Sequence, residues 1–150
     1  MLAFVMFALA PLGYAGLAAT AVAVAHGRMP IRFWRVVAAI ITIHVVLIWH
    51  VRYDWQFAQA TRNGAGGFVL FHAALGAIIA SVFTRGRNRQ VLILLSFGVV
   101  TLGAIGAVFM YDAVAAYRLP VILTALAGAI GLGTGYRRFL RRRAHASSVD

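Results

Sequence analysis

Apolar residues in this chain neither alternate with polar ones nor form the one-sided stripe of a water-facing helix; they run in long unbroken blocks. A helix needs about 20 mostly apolar residues to cross roughly 30 Å of hydrocarbon. Five blocks meet or approach that length: Leu2 to Ala25, Phe33 to Val51, Phe68 to Phe83, Val91 to Met110 and Leu119 to Thr134. The first holds no charge, and the last is short enough to tilt little or to thin the bilayer locally. The connections between the blocks are too short for an extramembrane domain. The pattern therefore predicts an all-α fold: a polytopic membrane bundle of five transmembrane helices over residues 1–136, followed by a basic tail over 137–150. A cleaved signal peptide is the competing reading of the first block, since Ala23-Val24-Ala25 has the small residues of a cleavage site. The block lacks a basic stretch before it and exceeds the about 7–15 apolar residues of a signal sequence, which favours a retained span.

Charge adds an orientation. All basic residues are Arg, and eleven of the fourteen fall on one side of the predicted topology. They are Arg28, Arg32 and Arg35, then Arg85, Arg87 and Arg89, and finally Arg137, Arg138, Arg141, Arg142 and Arg143; Arg52, Arg62 and Arg118 lie on the other. By the positive-inside bias the N-terminus is expected outside and the C-terminus in the cytoplasm, in a bacterial-type inner (plasma) membrane. Trp34 would then mark the inner boundary, and Trp49, Tyr53, Trp55 and Tyr111 the outer one. The net charge of +11 reads as a topology device touching anionic headgroups, so no nucleic-acid partner is expected.

Composition excludes several chemistries. With no cysteine there is no disulfide, thiolate-held cluster or thioether-linked haem. With no Glu, and Asp54, Asp112 and Asp150 the only acids, paired-carboxylate catalysis is not expected. The serines, Ser81, Ser96, Ser147 and Ser148, suggest no nucleophilic triad. The connection Gln56 to Gly67, ending Asn63-Gly64-Ala65-Gly66-Gly67, lacks the pattern of a phosphate loop and is expected to enter the third span flexibly. No catalytic residue is assigned; at most the chain is an electron-transfer subunit.

Helix contacts in lipid rely on small residues. The fifth span carries two stripes, Ala125-Ala129-Gly133 and Ala127-Gly131-Gly135, and the fourth carries Gly103-Ala107. Stripes on two sides of one helix favour partners beyond this chain, so other membrane subunits of a complex are expected beside the lipid bilayer. A faint repeat relates Tyr53-Asp54 to Tyr111-Asp112 and Val69–Ile78 to Val121–Ile130. In it His72 corresponds to Thr124.

Three histidines lie within spans, where ionisable groups are costly and face a bundle interior, a partner or a cofactor. His44 and His50 are on the second span and His72 is on the third, at a depth between them. Two axial imidazoles from neighbouring helices would hold a b-type haem, so His72 with His44 or His50 forms the candidate cofactor pair. His72, Gly76 and Ala80 form a stripe against which a flat macrocycle could lie. The plainer expectation is that each His bonds a neighbouring helix's carbonyl or a hydroxyl such as that of Thr42. At the outer surface His50 and Asp54, spaced by one helical turn, could combine with His72 as a two-His, one-carboxylate metal site or as a proton-coupled quinone pocket.

The helix ending in His50, the loop after it, and Phe71-His72-Ala73-Ala74-Leu75 opening the next helix resemble a family of small, multi-histidine bacterial membrane proteins linked to cytochrome-oxidase biogenesis. The likeness extends loosely to Thr101-Leu102-Gly103, while Ile31-Arg32 and Arg89-Gln90 stand where that family carries cytoplasmic His-Arg pairs. The resemblance implies a respiratory-membrane setting. Together these features lead to the expectation of a small membrane subunit of a respiratory or other redox complex, binding haem b or lining a quinone site. The alternative is a structural or assembly subunit that packs through its Gly/Ala faces and has no cofactor.

Overall fold

The structure is a computed structural model and describes residues 1–62 and 64–146. Its elements are helical: α1 (Leu2–Ala25), α2 (Ile31–Val51), the single-turn α3 (Phe57–Ala60), α4 (Ala65–Phe83), α5 (Gly86–Met110), a 3-10 helix (Asp112–Tyr117) and α6 (Arg118–Ala146). Five of them are long and apolar enough to cross a membrane. At most 28% of the most apolar window in any of the five is buried, and large apolar side chains such as Phe4, Leu102 and Ile130 point outward. An exterior of this kind is compatible with a hydrocarbon surrounding.

Side-chain contacts set the helix directions. On α1 and α2, Met6 meets His44 and Gly16 meets Val37, so the two run antiparallel. On α2 and α4, Trp49 meets His72 and Trp34 meets Ser81, again antiparallel. On α1 and α6, Val22 meets Gly131 and Ala25 meets Gly135, and Phe7 meets Tyr117 just before α6, so these run parallel. The C-termini of α1, α4 and α6 therefore share one end with the N-termini of α2 and α5, and that end gathers the arginines. The core lies around α1, with Leu17, Thr20 and Ala21 fully buried against Trp34, Ile78 and Ile93. Trp34 Nε1–H donates to Ser81 Oγ at 3.0 Å, giving the indole its one partner inside the bundle.

Pro11 stands in the interior of α1. It has no N–H to offer the carbonyl four residues back, that of Phe7. In hydrocarbon an orphaned carbonyl costs several kcal/mol unless a neighbour takes it. Here the Tyr117 hydroxyl donates to it at 3.2 Å, and the two rings stack with centroids 6.4 Å apart. Tyr117→Phe is therefore expected to cost about 1 kcal/mol in the native chain and nothing in a Pro11→Ala background, where the helix can satisfy the carbonyl itself. Detergent-denaturation curves of the four proteins of that cycle measure the coupling.

Element boundaries depart from the sequence expectation in three places. Only Thr84 and Arg85 separate α4 from α5, so Arg87 and Arg89 belong to the first turn of a helix rather than to a loop. Gly86 at φ +60 makes the corner, and Arg89 Nε–H returns to the Ser81 carbonyl at 3.1 Å, satisfying a group near the end of α4. Gly66 and Gly67 lie within α4, so the glycine run does not make a flexible entry; the left-handed break is confined to Gly64 at φ +109, and Asn63 lies outside the described residues. Finally, α6 continues unbroken to Ala146, because arginine is a good helix former. Most of the expected tail is thus helix, and residues 147–150 lie outside the described residues.

The two stripes of α6 have different fates. A Cβ at Gly131 would stand 2.5 Å from Val22, and one at Gly135 would stand 2.7 Å from the Ala25 carbonyl oxygen. That side therefore serves the α1–α6 contact within the chain. Nothing lies within 4 Å of the corresponding point at Gly133, and Gly133 and Ala129 are exposed, while Ala125 is half-buried and Ala127 of the other stripe is exposed; the outward part is therefore Ala129 and Gly133.

Candidate functional site

A cavity of about 800 Å³ occupies the arginine-poor half of the bundle. It lies between the first half of α1, the second half of α2, the first half of α4, the second half of α5 and the 3-10 helix. Its walls are mainly apolar, with His44, His72, Trp49, Tyr14 and Tyr117 among them and Arg52, Tyr53, Gln59 and Arg62 on the connecting segment. The size and the mix of apolar wall with a few polar groups suit a small organic ligand.

His44 sits on α2, half-buried, with Nδ1 2.9 Å from the Met6 carbonyl of α1. A carbonyl only accepts, so Nδ1 carries the proton and the lone pair of Nε2 is left for the cavity. His44 thus makes the bond to a neighbouring helix that the plainer expectation named. Thr42 plays no part in it, since its hydroxyl donates to Ala38 of its own helix at 2.8 Å.

His72 has both nitrogens engaged. Nδ1–H donates to the Phe68 carbonyl at 2.8 Å, one turn back on α4, and Nε2 accepts from the Trp49 indole N–H at 3.0 Å. An indole N–H can only donate, so His72 is held as the neutral Nδ1–H tautomer. Phe68 stacks on the imidazole with centroids 4.0 Å apart, and Trp49 meets it edge-on at 5.8 Å. Trp55 stacks in turn on Trp49 at 6.1 Å, and Phe57 meets Phe68 at 5.1 Å. The result is an aromatic cluster that ties α2, the connecting segment and α4 together.

His50 and Asp54 are placed elsewhere. His50 is exposed in the last turn of α2 and is not part of the cavity wall. The spacing argument for a His50–Asp54 pair assumes a continuous helix, but α2 ends at Val51 and the chain reverses through Asp54 at φ 46 and Trp55 at φ 58. Two successive non-glycine residues in the left-handed region are uncommon, and the turn swings Trp55 back so that its N–H reaches the Trp49 carbonyl at 3.0 Å. Among the described residues no three His, Asp, Glu or Cys side chains come together in a way that could hold a metal ion, so His50, Asp54 and His72 form no such set. The second Tyr-Asp corner has a different backbone, with Asp112 opening the 3-10 helix.

No protein family, curated protein or solved structure matches the chain.

Three contributors escaped the sequence argument. Tyr14 lines the cavity and donates to Thr101 Oγ1 at 3.0 Å, Tyr117 caps the proline-freed carbonyl, and Trp49 is the partner of His72. A tyrosine in the middle of a chargeless span was a visible signal for Tyr14. Trp49 was instead read as part of an interfacial belt, where tryptophan is common. The stripe His72-Gly76-Ala80 turns away from this site at its lower end: Gly76 and Ala80 are exposed, and nothing lies within 4 Å of where a Cβ of Gly76 would be.

Proposed function

We propose that the chain is a small integral-membrane subunit of a respiratory or other redox complex, oriented with its arginine-rich end in the cytoplasm, whose cavity receives a quinone-class ligand. The observation that carries this reading is the cavity of about 800 Å³ with the Nε2 of a half-buried His44 on its wall. An apolar chamber accepts the ring and part of the tail, and an unprotonated Nε2 accepts a hydrogen bond from a quinol hydroxyl. Arg52, on the cavity wall at the end of α2, supplies a donor for a quinone oxygen. The resemblance of the His50 to Leu75 stretch to proteins of cytochrome-oxidase biogenesis supports the same membrane setting.

Trp49 lines the cavity with Trp55 stacked on it, whereas Trp34 is fully buried elsewhere against Ser81, so quenching of the Trp49–Trp55 pair reports occupancy, and its loss in Trp49→Phe assigns it. Titration of the detergent-purified chain with a decyl-substituted benzoquinone is expected to quench a saturable part of the emission, and the matching hydroquinone is expected to compete. His44→Ala should weaken the hydroquinone about fivefold, the worth of one neutral hydrogen bond, and the quinone less. Unsaturable quenching, identical in the variant, would count against the proposal.

Haem b is the second reading, and one observation favours it. His44 and His72 both give their Nδ1–H to a backbone carbonyl, the arrangement that orients an imidazole to ligate through Nε2. It requires His72 to exchange its Trp49 partner for iron. A reduced-minus-oxidised haem spectrum lost in His72→Ala would establish this reading, and a colourless preparation would remove it. The subunit with no cofactor, packing through its Gly/Ala surface, is supported by the exposed small residues Ala129 and Gly133.

A further inference from the structure

At the arginine-rich end a second recess of about 270 Å³ opens between the end of α1, the first turns of α5 and the α6 extension. Its wall includes His26 and Gly27, which follow α1, Gln90 of α5, and Gly135 and Arg138 of α6. The recess exists because Gly135 lets α6 press its backbone against the Ala25 carbonyl, after which the helix carries Arg138 past the end of α1. The imidazole is oriented, with Nδ1 at 2.9 Å from the Val22 carbonyl and Nε2 at 3.4 Å from Thr134 Oγ1. Ala25 and Gly135 close the recess on its apolar side, and Arg138 stands on the next turn of α6, where the apolar span gives way to the arginine run.

Charge bookkeeping makes the site specific. Eleven of the fourteen arginines belong to this end of the chain. Asp54 and Asp112 lie at the opposite end, beyond the C-termini of α2 and α5, and the third acid, Asp150, lies outside the described residues. Among the described residues, then, this end holds no carboxylate. The described residues of this end thus supply no counter-charge to the arginines. At the depth where a span ends, the abundant anion is a phospholipid headgroup, and basic pockets between helices on the cytoplasmic side are suited to hold one.

We infer that the recess between α1, α5 and α6 is a binding site for the phosphodiester headgroup of an anionic phospholipid. Arg138 is its charged contact, the Gln90 amide its neutral donor, and the acyl chains lie along the neighbouring helix surfaces; His26, whose Nδ1–H is given to the Val22 carbonyl, forms part of the wall. The inference does not depend on the cavity in the other half of the bundle or on its occupant.

The test uses the full chain, stripped of lipid in a neutral detergent and returned to phosphatidylcholine nanodiscs with or without a minor fraction of phosphatidylglycerol. Native mass spectrometry counts the retained lipid, and a thermal melt reads its effect. Expected are one tightly retained phosphatidylglycerol and a raised melting temperature in its presence. Arg138→Gln should lose about tenfold in apparent affinity, in keeping with a charge-assisted hydrogen bond. Gln90→Ala should also weaken retention, by a smaller factor. Arg32→Gln removes an equal charge from an exposed position at the same end, outside the recess, and should change retention by less than about twofold. Circular dichroism of each variant confirms that the helices are intact. Equal retention of phosphatidylcholine, equal losses in Arg32→Gln and Arg138→Gln, or the same stabilisation from inorganic phosphate alone would each overturn the inference.

Discussion

Gly135→Leu is expected to destabilise the bundle strongly, while Gly133→Leu, two residues away, leaves the isolated protein as stable as before. A side chain at 135 meets backbone: its first carbon would stand 2.7 Å from the Ala25 carbonyl oxygen and 2.9 Å from the Ala25 carbonyl carbon. Backbone cannot rotate aside as a rotamer can, so α6 must separate from α1, the helix around which the core is built. The cost is about 3 kcal/mol, the upper end of ordinary overpacking, and more where the α1–α6 seam opens along its length. At 133 nothing is within 4 Å, and the change is expected to lie within about 0.5 kcal/mol. Far-UV circular dichroism through an SDS titration in mixed micelles measures both. The pair also separates intrachain from interchain packing. If the outward surface at Ala129 and Gly133 holds another subunit, Gly133→Leu should release that subunit from an intact bundle. Equal destabilisation by the two substitutions would refute the assignment of the stripes.

Ala104→Phe should abolish quenching by the quinone while the helices remain folded. Ala104 lies on α5 in the cavity wall, and a phenyl ring there occupies space an incoming ring would need. Removing the space outweighs removing one polar contact, so the loss should exceed the about fivefold change from His44→Ala, reaching more than a hundredfold. Melting at or slightly above the native temperature would show that the side chain fills a void. Undiminished saturable quenching in Ala104→Phe would place the quinone elsewhere and remove the basis of the proposed function. Neither result bears on the headgroup recess, which shares no lining residue with this cavity.

His44 and His72 both line the cavity, on helices that run antiparallel. Helical spacing then linked His50 to Asp54 across a position where the helix has already ended. Asp54 and Trp55 adopt positive φ, and no glycine marks that turn in the sequence. The partners of His72 were likewise illegible, because the contact with Trp49 depends on how far α2 and α4 are rotated about their axes.

The order of residues alone leads to long helices apolar enough to cross a membrane. Uninterrupted apolar blocks offer no amphipathic alternative, and a backbone in lipid must satisfy its hydrogen bonds within each helix. The asymmetric arginines carry the expected orientation for an equally local reason, the positive-inside bias of short loops. Which side of α6 meets α1, which carbonyl receives the Tyr117 hydroxyl, and which imidazole keeps a free nitrogen were decided only by tertiary packing. Rotation of a helix about its own axis is nearly free in an apolar solvent, and only close contact between particular small and polar side chains selects one angle.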